Sequence, residues 1–387
     1  MLLNFTFKNF KSFKDKVEFS MEPLTNNGNV ENALETGYRK SPYVYRTSAI
    51  FGANASGKSN FIQAIEYIRE LIGISYMSPL EKIILELPIY KLSNQNANAF
   101  FECEFIKKNI TYKYIVELTD NEIIKEEAYY TELEKDKREK CIFKRDKNGF
   151  NSPLGLSKEL AQQTISSRLI ISDWINNKNV KNEHLLNIYR WFTEDVSMIE
   201  HRHHDYWPED PCIKLQDSQK KVDFLQRADI NVTKIFKGTK GELLYTQVDE
   251  TGKEVSFNFE ENASEGTKTL YKLSDYVIDV LQNGKILFID ELDKSLHPHL
   301  VKYLVNLFNN PVTNPKGAQL IFTSHAHYLM DGDTLTRDQI WFVSKENGYS
   351  SDLYSLSDFK EIKRKKGTFY NEYMYGIFGA VPKISED

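Results

Sequence analysis

A short glycine-containing segment between an apolar strand and an amphipathic helix constrains the fold more than any other feature. Residues 48–51 are predicted to form a strand, and from Ser59 onward apolar residues recur at helical spacing. Gly52 and Gly57 let the backbone turn tightly, so that successive N–H groups point inward and form an anion nest. The segment fits G-x-x-x-x-G-K-[ST] and predicts a site for phosphate groups. It consists of Gly52, Ala53, Asn54, Ala55, Ser56, Gly57, Lys58 and Ser59.

The polar residues at the start of the helix have separate expected roles. Lys58 would reach the β- and γ-phosphates of ATP, and the Ser59 hydroxyl would bind Mg²⁺. The positive end of the helix dipole, which begins near Lys58, favours the same anion. Asn60, the next helical residue, completes the predicted nucleotide-binding set. The competing interpretation is a glycine-rich turn at a strand end, and the flanking strand and helix disfavour it.

Two carboxylates directly follow the apolar run at 286–289. Such a run is typical of a parallel strand buried on both faces, and the C-terminal ends of these strands are where α/β sheets bind ligands. Asp290 would hold Mg²⁺, directly or through water, and Glu291 would polarise the attacking water. The alternative is an ordinary buried strand that ends in a solvated acidic turn. The phosphate loop upstream favours the catalytic interpretation.

The composition excludes several other classes of protein. The chain has 387 residues, is 41% hydrophobic and has a formal net charge of −5. A sizeable core is therefore expected, and a uniformly basic nucleic-acid-binding surface is not. The cysteines Cys103, Cys141 and Cys212 form no C-x-x-C pair and predict reduced thiols. Since no apolar run approaches the roughly 20 residues that span a bilayer, and no signal peptide is evident, we expect a soluble, cytoplasmic protein.

Sequence patterns divide the chain into three parts. Residues 1–130 combine alternating strands, the phosphate loop and an antiparallel meander over 100–130. Residues 131–240 are predicted to be a mainly helical insertion, with helical spacing over 154–199. Residues 241–387 alternate strands and helices again, so the expected fold is α/β, a mixed sheet with an antiparallel lobe. Further predicted elements are a helix at 222–235, a hairpin at 243–259 and strands at 286–289, 319–323 and 340–343.

A second anion site is predicted at the start of a later helix. Ser264 and Gly266 precede that helix, and no local phosphate is available to fill the site. The economical explanation is that it contacts the γ-phosphate held by another copy of the chain. Two chains would then enclose two ATP molecules head to tail in a twofold homodimer. Two further residues complete this motif order, Asp293 after the acidic pair and His325 after the strand at 319–323.

The order of these motifs resembles the ABC ATPases, in particular their SMC/RecF-like branch. Residues 7–13, Phe-Lys-Asn-Phe-Lys-Ser-Phe, look like the first strand of that branch. Residues 290–298 and 373–382 resemble a short-armed group of OLD-type ATPases and abortive-infection ATPases of phage defence. The resemblance covers nearly the whole chain except about 131–240. It implies a P-loop NTPase of the ABC type that hydrolyses ATP with Mg²⁺.

The resemblance also implies roles for single residues. Ser264 and Gly266 would be the signature contacts, and Asp293 would be the D-loop residue at the dimer seam. His325 would sense the γ-phosphate and hold the water, acting with Glu291 and Lys58 in catalysis. A core histidine at a strand end is the competing interpretation of His325.

Other positions fit the resemblance less closely. Lys11 and Ser12 would line the nucleotide near its phosphates or ribose, although Lys11 also fits a solvated strand lysine. Glu265 stands between Ser264 and Gly266, so the Gly-Gly pair of many relatives is absent. A Q-loop glutamine is not securely placed, and Gln95 is the candidate.

The implied function is a regulatory switch in phage defence that controls a separately encoded effector protein. ATP would join two chains, hydrolysis would release them, and dimers could assemble further. Two rivals stay open: a RecF-like DNA-repair ATPase that clamps DNA, and a component of an OLD-like nuclease. The C-terminal region shows no strand-borne acidic cluster of the Toprim type, so no nuclease is expected within this sequence.

Three side-chain clusters lie outside these motifs. A histidine-rich segment fits a solvated loop or a partner contact better than a zinc site. Two basic runs are each interpreted first as exposed faces and second as contacts with a phosphate backbone such as that of DNA. The second run could instead contact an acidic patch of a partner protein. The histidine-rich segment holds His201, His203, His204, Asp205 and Cys212, and the basic runs span 135–147 and 360–366.

Overall fold

The computed structural model describes most of the chain. The described residues are 1–24, 32–38, 40–92, 98–132, 138–199, 218–345, 349–359 and 369–382. The strands are β1 (Leu2–Lys8), β2 (Val17–Ser20), β3 (Ala33–Glu35), β4 (Tyr43–Tyr45), β5 (Thr47–Phe51), β6 (Ala99–Lys107), β7 (Ile110–Leu118), β8 (Ile123–Glu132), β9 (Lys140–Asp146), β10 (Gly149–Asn151), β11 (Val196–Ile199), β12 (Lys234–Lys237), β13 (Leu243–Val248), β14 (Glu254–Asn258), β15 (Ile286–Ile289), β16 (Gln319–Thr323), β17 (Ile340–Ser344) and β18 (Asp352–Ser355). The α-helices are α1 (Lys58–Ile74), α2 (Lys158–Gln163), α3 (Ile170–Asn176), α4 (Glu183–Arg190), α5 (Ser218–Arg227), α6 (Phe259–Asn262), α7 (Glu265–Asn283), α8 (Pro298–Asn309) and α9 (Phe369–Met374).

The phosphate loop follows a central strand of a six-stranded sheet with the order β11-β15-β16-β5-β17-β18. Strand β5 pairs in parallel with β16 and β17, and β15 pairs in parallel with β16 and β11. Every residue of β5, β15, β16 and β17 is buried, as expected for apolar strands covered on both faces. The strands predicted at 286–289 and 319–323 are confirmed. Because these strands are parallel, the segments that follow them meet at one edge of the sheet.

A second, seven-stranded sheet is antiparallel and has the order β10-β9-β8-β7-β6-β1-β2. It contains the meander predicted over 100–130, as strands β6 to β8. Strands β9 and β10 extend this sheet beyond residue 131. The N-terminal strands β1 and β2 lie at its other edge.

Two helical predictions extend too far. The helix expected over 154–199 is replaced by α2, α3, α4 and the strand β11, which pairs with β15 at the edge of the parallel sheet. The helix expected over 222–235 ends at Arg227, because Asp229 adopts a left-handed φ of 62°. The residues that follow form β12, which pairs with β13. In both places, pairing with a distant strand overrides local helical spacing. The division of the chain at 131 and 240 stays a prediction.

Hydrophobic cores cover both faces of the parallel sheet. Ile50 of β5 belongs to one core, whereas its neighbours Ala49 and Phe51 belong to the other. This alternation follows from the period of two in a strand. Helix α1 and the antiparallel sheet pack into the first core, and α7 and α8 pack into the second. The predicted α/β class, with an antiparallel lobe, is confirmed. Among the described helices, none is long and apolar enough to cross a bilayer.

Candidate nucleotide-binding site

The loop between β5 and α1 needs glycine at both of its ends. Gly52 has φ 153° and Gly57 has φ 119°, outside the range that L side chains favour. A Cβ atom at Gly57 would lie 2.4 Å from Ser351 Oγ and 2.7 Å from Ser12 Oγ, and one at Gly52 would lie 2.2 Å from the carbonyl oxygen of Val343. Gly57 is also the N-cap of α1, so the first N–H groups of the helix open onto the loop.

Lys58 is folded over this loop and is nearly fully buried. Its Nζ donates hydrogen bonds to the carbonyl oxygens of Gly52, at 2.7 Å, and Ala53, at 3.1 Å. Burial lowers the pKa of the ammonium, and the acidic residues after β15, Asp290 first among them, oppose that shift. The cation is therefore held at the loop by groups that an incoming phosphate could replace.

Asp290 lies at the end of β15 and is buried. Thr323, at the end of β16, donates from Oγ1 to Asp290 Oδ1 at 2.6 Å and accepts from the backbone N–H of Glu291 at 2.8 Å. Glu291 has a left-handed φ of 55°, uncommon for a residue other than glycine, and its carboxylate lies 3.7 Å from Lys294 Nζ. Thr323 thus orients both acidic residues. The sequence prediction did not include it, although its position at the end of the next strand was a usable signal.

Asp293 connects the segments after β15 and β16. Its Oδ1 accepts hydrogen bonds from Ser324 Oγ at 2.7 Å and from the backbone N–H of His325 at 3.1 Å. Asp293 therefore positions His325 through contacts within one chain. Burial, followed by the charge of Lys58, lowers the pKa of His325 and favours the neutral imidazole.

Residues in the turn that follows β1 contact helix α1 beside the phosphate loop. Ser12 Oγ accepts hydrogen bonds from Asn60 Nδ2 and from Ser351 Oγ, both at 2.7 Å. Lys11 has a left-handed φ of 49°, and its Nζ donates to Gln63 of α1. Both residues predicted near the nucleotide therefore contact α1, at or beside its first turn, and Ser59 lies in that turn.

A cavity of about 830 Å³ lies beside the loop. Several of its lining residues were absent from the sequence prediction, among them His327 and residues in the C-terminal segment. Three lining side chains have a buried polar atom without a partner among the described residues: Ser56 Oγ, Ser344 Oγ and His327 Nε2. Two sequence features could have predicted these lining residues. One is the second histidine of Thr-Ser-His-Ala-His at 323–327, and the other is the C-terminal motif at 373–382. The lining residues are Gly52, Ala53, Asn54, Ala55, Ser56, His325, His327, Ser344, Lys345, Tyr373, Gly379, Ala380, Val381 and Pro382.

The predicted signature residues lie elsewhere on the chain. Ser264 is the N-cap of α7, where its Oγ accepts from the N–H of Thr267 at 3.2 Å. Gly266 is half-buried and lies against the segment after β15, because a Cβ there would lie 2.9 Å from the carbonyl oxygen of Ser295. Neither residue is among the described residues that line the cavity. The structure therefore brings together the phosphate loop, the acidic pair and His325, whereas the signature loop (residues 262–266) lies outside the described lining of the cavity.

The donor set fits a magnesium nucleotide. Mg²⁺ prefers oxygen ligands and in nucleotide sites takes many of them from phosphate and water. Asp290 and Ser59 supply a carboxylate and a hydroxyl, and the unpartnered Ser56 Oγ lies in the loop itself. Within the described ranges there is no group of three or more His, Cys, Asp or Glu side chains arranged to hold a metal by themselves.

Several predicted features lie outside the described residues. These are Gln95, the histidine-rich segment with Cys212, the whole C-terminal basic run at 360–366, and Lys135 and Lys137 of the first basic run.

Comparisons with known proteins give two similar solved structures and one matching family model. Two solved structures align over 92% of this chain and 98% of their own. They are the SMC head domain from Thermotoga maritima, with 15% identity and a TM-score of 0.45, and the recombination mediator protein RecF of the RecFOR pathway, with 14% identity and a TM-score of 0.32. No curated protein matches the chain. A family model, described as "AAA domain, putative AbiEii toxin, Type IV TA system", matches residues 48–331, which include the phosphate loop, the acidic pair and His325. The chain therefore belongs to this abortive-infection family of AAA-type P-loop ATPases, as its motif order predicted.

Proposed function

We propose that this protein is a Mg²⁺-dependent ATPase that works as a dimerisation switch. The observation that carries the proposal is the separation of two half-sites on one chain. The phosphate loop, Asp290, Glu291 and His325 meet at the edge of the parallel sheet, whereas the signature loop is exposed at the start of α7. A second copy could supply the missing half.

Each residue at the sheet edge has a role in this proposal. The loop N–H groups, the start of α1 and Lys58 bind the phosphates, and Ser59 and Asp290 would hold Mg²⁺, which supplies charge stabilisation when bound. Glu291 polarises the attacking water as a general base. His325, held by Asp293 and favoured in its neutral form, positions the water and the γ-phosphate end.

The half-sites explain why ATP would join two chains. Ser264 and the first N–H groups of α7 form an exposed anion-binding helix start of a 19-residue helix. If it contacts the γ-phosphate held by a second copy, each nucleotide bridges both chains. Hydrolysis then removes the bridge and releases the dimer.

A switch of this kind has consequences only when another component reads it. We propose that the dimer controls a separately encoded effector in the cytoplasm, in a phage-defence system. The family description, which names a putative AbiEii toxin of a type IV toxin–antitoxin system, supports a role in a system of more than one component.

The test uses Glu291→Gln and Lys58→Ala. We expect Glu291→Gln to bind MgATP, to lower kcat by about 10²- to 10⁴-fold and to accumulate as a dimer, because only the base is lost. Lys58→Ala should lose MgATP binding and stay a monomer. Binding, turnover and sedimentation are measured together, with exposed Glu250→Gln as the matched control.

Two results would overturn the proposal. One is hydrolysis by Glu291→Gln at the wild-type rate, which would remove Glu291 from catalysis. The other is an MgATP-bound Glu291→Gln protein that stays monomeric at every protein concentration, which would remove the dimer.

A further inference from the structure

A row of hydrogen bonds ends on the peptide group between Ser56 and Gly57, where the phosphate loop meets α1. Asn60, in the first turn of α1, donates from Nδ2 to Ser12 Oγ at 2.7 Å. Ser12 Oγ lies 2.7 Å from Ser351 Oγ, and Ser351 Oγ donates to the carbonyl oxygen of Ser56. The side chains of Asn60, Ser12 and Ser351 are here called the serine brace. Three distant parts of the sequence therefore act on one peptide group.

The serine brace is also held by the backbone around it. Ser351 lies directly before β18 and is 4% exposed. Its backbone N–H donates to the carbonyl oxygen of Ser12 at 2.7 Å, which joins the start of β18 to the turn after β1. Residue 351 lies outside the range 48–331 that the family model matches. A role for Ser351 therefore does not follow from the motifs within that range.

The number of hydroxyl protons gives the serine brace a direction. Each serine hydroxyl has a single proton, and Ser351 Oγ has two acceptors within reach, Ser12 Oγ and the Ser56 carbonyl oxygen. The carbonyl oxygen can only accept, whereas the Ser12 hydroxyl can donate to Ser351 while it accepts from Asn60. All three contacts are satisfied together only when the Ser351 proton goes to Ser56. The brace therefore ends in a hydrogen bond to the Ser56 carbonyl oxygen.

This hydrogen bond fixes a peptide group that glycine alone would leave free to turn over. In a trans peptide the C=O and the following N–H point in opposite directions, so the Gly57 N–H points away from Ser351. Gly57 has a φ of 119°, and turning the peptide over would bring φ to about −60°, the value of an ordinary helix. Glycine populates both regions, so Gly57 itself does not select one orientation. The hydrogen bond to Ser56 selects it, because turning the peptide over would break that bond.

We propose that Ser351 is a positioning residue for phosphate binding. Through the serine brace it holds the Ser56–Gly57 peptide in the orientation in which the Gly57 N–H donates to a nucleotide phosphate. An N–H group aimed at an anion makes a charge-assisted hydrogen bond, so its orientation changes affinity directly. The inference rests on the proposed ATPase function and adds to it a residue that acts through the loop backbone rather than on the nucleotide.

One isotope-labelled pair reports on both ends of this peptide group. The dipeptide Ser-Gly occurs once in the sequence, at 56–57. Carbonyl-¹³C serine and ¹⁵N glycine, introduced into the full chain by cell-free synthesis, therefore give a single correlated NMR signal. In the wild type we expect the Gly57 amide proton to move downfield when MgADP binds, because the N–H then donates to a phosphate. MgADP is the probe because it has no γ-phosphate to join two chains.

Ser351→Ala removes the last hydroxyl of the serine brace. We expect the Ser56 carbonyl carbon to move upfield without ligand, the MgADP-induced shift of Gly57 to be lost, and the Kd for MgADP from calorimetry to rise about tenfold. Ser351→Thr keeps a hydroxyl and should bind MgADP within about threefold of the wild type. The matched control is Ser274→Ala in α7, a fully buried serine whose hydroxyl also donates to a backbone carbonyl, that of Tyr271. It should change none of the three quantities.

The outcomes separate this inference from the proposed function. If the wild type binds neither MgADP nor MgATP, the proposed function is wrong and the inference falls with it. If the wild type binds nucleotide but its Gly57 proton does not shift, or Ser351→Ala keeps the wild-type shift, only the role of Ser351 is wrong. Equal losses of affinity in Ser351→Thr and Ser351→Ala would overturn that role as well.

The stability of the variants is measured alongside. A lower thermal midpoint of Ser351→Ala with an unchanged Gly57 shift would show that Ser351 only supports the fold, and it would overturn the inference. If Ser351→Ala does not fold, Ser351→Cys replaces it, because a thiol is a weaker donor than a hydroxyl, and the same outcomes apply.

Discussion

His327 packs its ring against Tyr373 and Phe51, with centroid distances of 4.6 and 6.0 Å. Burial, with a smaller contribution from His325, lowers its pKa to about 4. The ring therefore stays neutral in the folded protein under conditions in which an exposed histidine begins to gain a proton. His327 lies in the loop after β16 and contacts Tyr373 of the C-terminal segment. Protonation of its ring would therefore weaken the packing between that loop and that segment.

We expect acidification to destabilise the protein partly through His327. An unfolded histidine titrates near pH 6.5, above the folded value of about 4, so the unfolded chain binds more protons between these values. The stability associated with the neutral ring is complete above about pH 6.5 and is lost as the pH falls toward 4. Thermal midpoints from pH 7 to 4.5 should fall less steeply for His327→Phe than for the wild type. Both proteins contain His184 and His325, so these residues cannot cause a difference between them. If the thermal midpoints of the two proteins fall in parallel with pH, the ring of His327 is not held neutral.

Helix α1 offers a comparison of two glycines in one element. Gly57→Ala places a methyl group against Ser351 and Ser12 at a left-handed φ, and it should cost roughly 1–3 kcal/mol in the free energy of unfolding and weaken MgATP binding. Gly73→Ala is the control, because its new Cβ would meet only Thr193 at 3.8 Å and helical alanine is favoured by about 0.5–1 kcal/mol. Chemical denaturation and ATP-analogue titration check both. Equal effects of the two substitutions would contradict the conformational role of Gly57.

Elements with a local signal were predictable, and those set by distant pairing were not. The run Ile286–Ile289 and the glycine pattern before Lys58 identify themselves within a few residues, and the structure confirms the strand and the helix start. Strand β11 exists because an edge of the parallel sheet is open beside β15. Likewise Ser351 reaches Ser12 across 339 positions of sequence, a contact that no local pattern encodes. The contribution of Tyr373 and residues 379–382 to the cavity lining was missed for the same reason.

On the scale of the whole molecule, Glu126 connects helix α3 to the antiparallel sheet through hydrogen bonds and an ion pair. It is fully buried, accepts from Tyr114 OH at 2.8 Å and from the backbone N–H of Ile170 at 2.7 Å, and lies 3.0 Å from Arg145. Glu126 thus accepts hydrogen bonds from backbone N–H groups at the start of α3 and forms an ion pair with the partly buried Arg145. Both hydrophobic cores share the parallel sheet, so damage at Glu126 should reach the other side of the molecule.

We expect Glu126→Ala to lower the global free energy of unfolding by about 3–5 kcal/mol. The substitution removes the counter-ion of Arg145, which keeps its hydrogen bond to the carbonyl oxygen of Arg168, and it leaves the first N–H groups of α3 without their acceptor. Helix α8 packs in the other core, and its slowest-exchanging amides exchange only when the whole chain unfolds. Their opening free energy, measured by hydrogen exchange, should therefore fall by the same amount as the global free energy of unfolding. Exposed Glu122→Ala is the control and should change stability by no more than about 0.5 kcal/mol. If α8 keeps its wild-type exchange rates in Glu126→Ala, the two faces of the parallel sheet unfold separately, and a signal at the nucleotide site need not reach the antiparallel lobe.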